Sequence, residues 1–207
     1  MKVLLVNGGP HKNGCTNRAL EEVEKELKKE GIDTEIFWIG NKPISGCIAC
    51  KNCYKNGKCS INDVVNEFAA KCSDADGFIF GTPVHYAASS GAISSFMDRL
   101  FYSTSADLFR FKPAACVVSA RRAGTTATYD QINKYFGINQ MPIISSRYWN
   151  MVHGGTKEEV EQDKEGLQIM RILGKNMAYF LKCIESAKKM GITEPEQEEI
   201  NFTNFIR

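Results

Sequence analysis

The chain has 207 residues, 43% of them apolar and 24% charged, enough to bury a sizeable core without disulfide staples. Lys and Arg number 26 against 24 Asp and Glu, a formal charge of +2 with no basic and aromatic stripe, which speaks against a nucleic-acid binder. No stretch approaches the length of a membrane span, and the opening KVLLVNGG is too short for an export signal; with eight cysteines this predicts a reducing cytoplasm, and thiols used as ligands rather than in disulfides.

Residues 2–7, KVLLVN, form a short apolar run ending at Gly8-Gly9-Pro10, the pattern of a buried parallel strand. A helix is predicted from about 15 to 30, with Thr16, Leu20, Val23 and Leu27 on one face. Glu21 with Lys25 and Glu24 with Lys28 are i,i+4 pairs on its wet side, and Gly31 is a natural stop. DTEIFWI at 33–39 reads as a second strand. Asn62 or Asp63 caps a helix that turns Val64, Val65, Phe68, Ala69 and Cys72 inward. GFIFGTP at 77–83 is a third strand, and Ile93, Phe96, Met97, Leu100 and Phe101 mark the next helix. AACVVSA at 114–120 is a fourth strand, a helix over roughly 126–136 follows, and MPIIS at 141–145 is a fifth strand. Thr156 with Glu159 is a capping box opening one long helix to about Lys189, with Val160, Leu167, Met170, Leu173, Met177, Leu181 and Ile184 inward. The tail from Gly191 holds an acidic run and then Phe202, Phe205 and Ile206. Cys15, Cys72, Cys116 and Cys183 are scattered, and most are expected to be core thiols. Five apolar strands alternating with helices predict an α/β architecture, a doubly wound parallel sheet covered on both faces. With no repeat and no low-complexity linker, one domain over 1–207 is expected.

Between the second strand and the next helix lies GCIACKNCYKNGKC, residues 46–59, inside a Cys-rich insertion at about 43–61. Cys47, Cys50, Cys53 and Cys59 are separated by two, two and five residues. Four soft thiolates this close can wrap zinc or an iron–sulfur cluster. The spacing is nearer the ferredoxin-type run than the two separated pairs of zinc ribbons, which favours a cluster; free or oxidisable thiols in a surface loop are the alternative.

In doubly wound sheets ligands sit beyond the carboxyl ends of the strands. The first of these ends, residues 8–17, combines Gly9, His11, Gly14 and Cys15 with Thr16 and Asn17 at the mouth of a helix, where free N–H groups favour an anion. It has neither the Walker nor the Gly-x-Gly-x-x-Gly pattern, so a monophosphate fits better than a nucleoside triphosphate. The second, residues 81–91, offers Thr82, Pro83, Val84, His85 and Tyr86, a stiff turn with two flat side chains for a planar ligand. The third, residues 119–126, sets Ala120 and Gly124 around Arg121 and Arg122, one of whose guanidiniums would face a negative charge on a ligand. Together they describe a slot with a phosphate end and a flat apolar end.

With these loops in place the chain resembles the NAD(P)H-dependent FMN reductase family, and more narrowly its iron–sulfur flavoprotein branch. The first loop stands where that family has Gly-Ser-Pro-Arg-x-x-Gly-Asn-Thr, and the second is similar to its Thr/Ser-Pro-Val-Tyr-Tyr loop. GAISSFMDRL, the four cysteines and YWNMVHG at 148–154 extend the likeness over nearly the whole chain. The resemblance implies a flavodoxin-like five-stranded sheet of order 2-1-3-4-5, FMN held by the three loops, and a [4Fe–4S] cluster on the four cysteines. It implies NAD(P)H or a reduced carrier such as ferredoxin as electron donor, and a homodimer or homotetramer with flavin near the interface. Gly9, His11 and Cys15 replace the usual serine, arginine and asparagine, so the phosphate would lean on backbone amides, Thr16 and Asn17. Arg121 would face the pyrimidine end of the ring, His85 would pack against or hydrogen-bond it, and His153 is expected to be structural. A clusterless NAD(P)H-dependent flavin, quinone or azo reductase and a non-enzymatic, zinc-stabilised FMN-binding module are the competing readings.

Overall fold

Each apolar run of the sequence becomes a strand because helices cover both of its faces and leave it no side to present to water. In the computed structural model, which describes residues 1–203, β1 (Lys2–Asn7) lies between β2 (Asp33–Trp38) and β3 (Gly77–His85), both parallel to it. β3 in turn pairs with β5 (Ala114–Ala120) and β5 with β6 (Met151–His153), giving the order β2-β1-β3-β5-β6. The two-residue β4 (Ala88–Ser89) only folds back on the end of β3 as a hairpin. Counted without it, the sheet has the expected 2-1-3-4-5 order.

Alternation along the strands builds two cores. Leu4, Val6, Phe78, Phe80, Cys116 and Val118 face a cluster rich in aromatics, including Phe68, Phe96, Phe109 and Phe136. These come from α3 (Val64–Ala69), α4 (Gly91–Ser103), the turn after it and α5 (Thr125–Ile138). Val3, Leu5, Ile79, Ala115 and Val117 face the opposite way, against Leu20, Val23, Met170, Leu173 and Met177. Those belong to α1 (Cys15–Lys29) and to a long C-terminal helix, which approach closely at Gly174: a Cβ there would stand 2.8 Å from the Val23 carbonyl. Asp63 caps α3 as expected, its carboxylate accepting from the Val65 amide. Among the described residues no helix is long and apolar enough to cross a membrane.

Two expectations are corrected. MPIIS does not form the fifth strand: Ala114 N–H donates to the Pro142 carbonyl and Ile144 N–H to that of Ala114, one isolated bridge around Ile143. The chain then leaves the sheet and returns as β6. Its polar residues are drawn outward, Ser146 to the Ile169 carbonyl and Arg147 to Glu165, while buried Asn150 ties the excursion shut by donating to the Ile144 carbonyl. The long helix is also broken, into α6 (Lys157–Val160) and α7 (Lys164–Lys189). The Thr156–Glu159 cap forms, but Asp163 starts a second helix by accepting from Gly166 N–H at 2.8 Å and from His153 N–H at 2.6 Å. Ile184, expected inward, is only half-buried. Cys72 and Cys116 are core thiols, whereas Cys183 is exposed and Cys15 lies in the first loop. Phe202 is exposed; Phe205 and Ile206 lie outside the described residues.

Candidate functional site

The carboxyl ends of β1, β3 and β5 open onto one cavity of about 290 Å³, close to the lower end of the size range of cofactor sites. Gly9, His11, Gly14, Cys15 and Thr16 form one wall, Pro83, Val84 and His85 a second, and Ala120 with Arg121 a third. Ser119, Pro10, Gly154 and Gly155 complete it.

The first loop is held from beneath by Asn7, the last residue of β1 and fully buried. Its Oδ1 accepts from Gly9 N–H at 2.9 Å, and its Nδ2 donates to the Lys12 carbonyl at 3.0 Å and to Asn17 Oδ1 at 3.3 Å. Trp38, ending β2, donates its indole N–H to the Gly9 carbonyl at 2.8 Å. Gly8 permits the approach of the next strand: a Cβ there would meet the Gly81 carbonyl oxygen at 2.8 Å. α1 starts at Gly14 with no side-chain cap and no acidic residue in its first turn, so its leading amides are not spent on the protein's own carboxylates. Thr16 Oγ1 is bonded to Ser119 Oγ at 2.8 Å, which joins the first loop to the third. Burial raises the Cys15 thiol above its ordinary range, aided by Glu159 and Glu158 and opposed by a backbone hydrogen bond.

Four of the expected binding residues do not line the cavity. Asn17 is buried behind the loop and donates to Glu21 Oε1 at 2.7 Å. Thr82 is buried, accepting from Ser90 N–H and donating to the Pro83 carbonyl. Tyr86 stands fully exposed at the tip of the β3–β4 hairpin, where it and Ala87 have φ of 50° and 59°. Gly124, with φ 92°, lies under that tip: a Cβ would come within 2.6 Å of Ala87 Cα. These residues shape the walls rather than forming them. His153 ends β6, with its amide on Asp163 and its Nδ1 3.9 Å from that carboxylate.

Asn7, Ser119, Gly154 and Gly155 were not singled out by sequence reasoning. A polar residue closing an apolar strand just before Gly-Gly is a usable signal for Asn7. Ser119 lies near the end of β5, within the third loop's range, and Gly154 and Gly155 reach the site only through pairing between β5 and β6.

All four clustered cysteines, Cys47, Cys50, Cys53 and Cys59, line a second, small cavity of about 20 Å³, walled by Ile48, Ile61, Arg99, Tyr102 and Ser103. The loop has little regular structure beyond α2 (Cys53–Asn56), closed by Gly57 at φ 64°; Ala49 and Lys51, flanking Cys50, take φ of 53° and 57°. Cys50 Sγ lies 3.3 Å from Ser60 Oγ, and hydrogen bonds from Ser60 and the Asn52 amide hold its thiol below the ordinary range. Cys53 donates to the Tyr102 carbonyl, and Arg99 Nε donates to Cys59 Sγ at 3.3 Å. Among the described residues no three His, Cys, Asp or Glu side chains are gathered closely enough to hold a single ion. The two cavities share no lining residue.

The sequence profile of the NADPH-dependent FMN reductase family matches residues 1–156. An iron–sulfur flavoprotein of Methanocaldococcus jannaschii is 32% identical over 192 residues, 89% of this chain and 100% of that protein. An iron–sulfur flavoprotein of Archaeoglobus fulgidus is 30% identical over 193 residues, 87% of this chain and 97% of that one. Among solved structures, an archaeal flavodoxin superposes with a TM-score of 0.60 at 15% identity, covering 88% of this chain and 99% of its own, a likeness of fold.

Proposed function

Because the chain belongs to the NADPH-dependent FMN reductase family and matches its iron–sulfur flavoproteins over most of its length, we propose that it passes electrons between FMN in the three-loop cavity and an iron–sulfur cluster on Cys47, Cys50, Cys53 and Cys59. The protein is an NAD(P)H-dependent FMN reductase-like oxidoreductase. When bound, FMN supplies hydride and one-electron chemistry and the cluster exchanges single electrons.

The residues divide the remaining work. The uncapped amides at the start of α1, with Thr16, would bind the phosphate, and the glycines at 9 and 14 leave room for it. Pro83, Val84 and His85 present a flat wall that orients a planar ring and excludes water from one side. Arg121 offers a fixed positive charge at the opposite wall, where it would stabilise negative charge on the bound ring. Gly154 and Gly155 close the remaining side without side chains of their own.

The observation that carries the cluster reading is the convergence of all four thiols on one cavity. Their separations of two, two and five residues favour an iron–sulfur centre over a lone zinc, whose sites commonly use two separated pairs. A homodimer or homotetramer is part of the proposal, within one domain spanning the chain. Since no residue is shared between the cavities, a second copy bringing its cysteine loop to the flavin would shorten the path, and the exposed Tyr54, Tyr86 and Tyr102 offer contact surface. Metal and flavin assay of protein purified without oxygen is the test. Bound iron with inorganic sulfide and FMN supports the reading; stoichiometric zinc, or FMN with no iron, refutes it. Cys50→Ala in an assembled, flavin-loaded protein should abolish single-electron transfer, and an unchanged rate would remove the cluster from the path.

A further inference from the structure

Arg99 sits on the inward stripe of α4, between Phe96 and Leu100, and is 1% exposed. A buried guanidinium is costly unless its donors are satisfied. Here each of the five N–H groups has an acceptor. Nη1 donates to Asp63 Oδ2 at 2.7 Å and to the Ser45 carbonyl at 3.3 Å. Nη2 donates to Asp63 Oδ1 at 2.8 Å and to the Ile61 carbonyl at 2.8 Å, while Nε donates to Cys59 Sγ. Ser45 precedes the first clustered cysteine and Ile61 follows the last, so one side chain grips both ends of the loop. Residues 45–52 and 54–58 are nearly all exposed, so buried apolar contacts do little to hold the loop in place.

We infer that Arg99 is the positioning residue of the cysteine loop: it closes the loop at Ser45 and Ile61, aims Cys59 at the cavity, and supplies a standing hydrogen bond to that sulfur. A lysine cannot replace it, since a single ammonium lacks the planar fork that reaches five acceptors on two sides. Hydrogen bonds and positive charge at ligand sulfur favour the reduced, more negative state of an iron–sulfur centre. Arg99 therefore sets the potential of the centre as well as the shape of its loop, with Asp63 moderating its charge. The effect on potential rests on the cluster reading above; the closure of the loop does not.

The test compares wild type, Arg99→Lys and Asp63→Asn, each purified anaerobically with the iron and FMN it carries. Amide hydrogen exchange is followed over residues 45–61, and the midpoint potential by spectroscopic redox titration. Arg99→Lys should speed exchange in the loop by about tenfold or more, as loss of charge-assisted hydrogen bonds allows, and lower the potential. Asp63→Asn keeps the helix cap and the guanidinium but removes a negative charge, so it should raise the potential. Shifts of opposite sign are not expected from a merely structural ion pair. Should Arg99→Lys fail to fold, Asp63→Asn carries the test of potential alone. Exchange at the wild-type rate in Arg99→Lys, or potentials unmoved in both variants, overturns the inference. Iron-free wild-type protein would refute the cluster reading, and the exchange comparison would then decide the role of Arg99 in loop closure by itself.

Discussion

Replacing Asn7 with alanine tests whether the first loop is ready for a phosphate before any ligand arrives. The substitution removes three hydrogen bonds, to Gly9 N–H, the Lys12 carbonyl and Asn17 Oδ1, from a side chain with no exposure to water. At about 1 kcal/mol each, the expected loss of stability is about 3 kcal/mol. Part of this falls on the loop alone, which a ligand must then re-order out of its own binding energy. With 1.4 kcal/mol per decade, FMN affinity should fall by roughly ten- to a hundredfold. Fluorescence titration of FMN into flavin-free protein measures this, alongside urea midpoints. Asn139→Ala, which deletes a hydrogen bond to the Tyr135 carbonyl away from the loops, is the control that should lower stability and leave affinity alone. If Asn7→Ala loses stability but binds FMN within twofold of wild type, the loop does not depend on its scaffold and the reasoning fails.

Gly8→Ala should be more damaging than its size suggests, costing about 2 kcal/mol or more, because the added methyl meets the backbone oxygen of Gly81 at 2.8 Å; thermal denaturation would read it. Glu22 is buried between Arg18 and Arg171, joining α1 to α7, and Glu22→Ala should cost about 2–3 kcal/mol, since Arg18 keeps Glu161 and Arg171 is partly solvated. Burial alone would raise the Glu22 carboxyl, but hydrogen bonds from Arg171 and Arg18 hold it below its ordinary value, and the Arg99 and Val65 bonds do the same for Asp63. Groups whose folded pKa is depressed stabilise the protein above their unfolded pKa, so this contribution is present at neutral pH and is lost as pH falls below about 4. Urea midpoints between pH 6 and 3 should drop less steeply in Glu22→Gln than in wild type; parallel curves would contradict the assignment. At the hairpin tip, Tyr86 and Ala87 both hold positive φ, so Tyr86→Asn with Ala87→Gly should gain about 1 kcal/mol in an isolated chain. A fall in oligomer stability in that double variant would mark Tyr86 as an interface residue, while unchanged assembly would remove it from the contact.

Local pattern was enough to read the alternation of strands and helices, the two-sided burial of the sheet, and the loops at the ends of β1, β3 and β5. Apolar runs, glycine pairs and cap residues act on near neighbours, and their meaning does not depend on what packs beside them. The four cysteines were legible for the same reason: their chemistry and spacing lie within thirteen residues. Tertiary structure decided what depends on distant partners. The fifth strand is divided because Ser146 and Arg147 find acceptors on α7, 18 to 23 residues along the chain, while Asn150 closes the excursion on Ile144. Thr82, Tyr86 and Gly124 shape the three-loop cavity without facing it, since the hairpin carries them up or behind, and Gly154 and Gly155 enter it only because β6 lands beside β5. Arg99 shows the limit most plainly. An arginine in a helix is ordinarily solvated, and nothing within its own turn reveals that its five acceptors lie up to 54 residues away. Only a folded chain can bring enough oxygen and sulfur around that charge to make its burial stable.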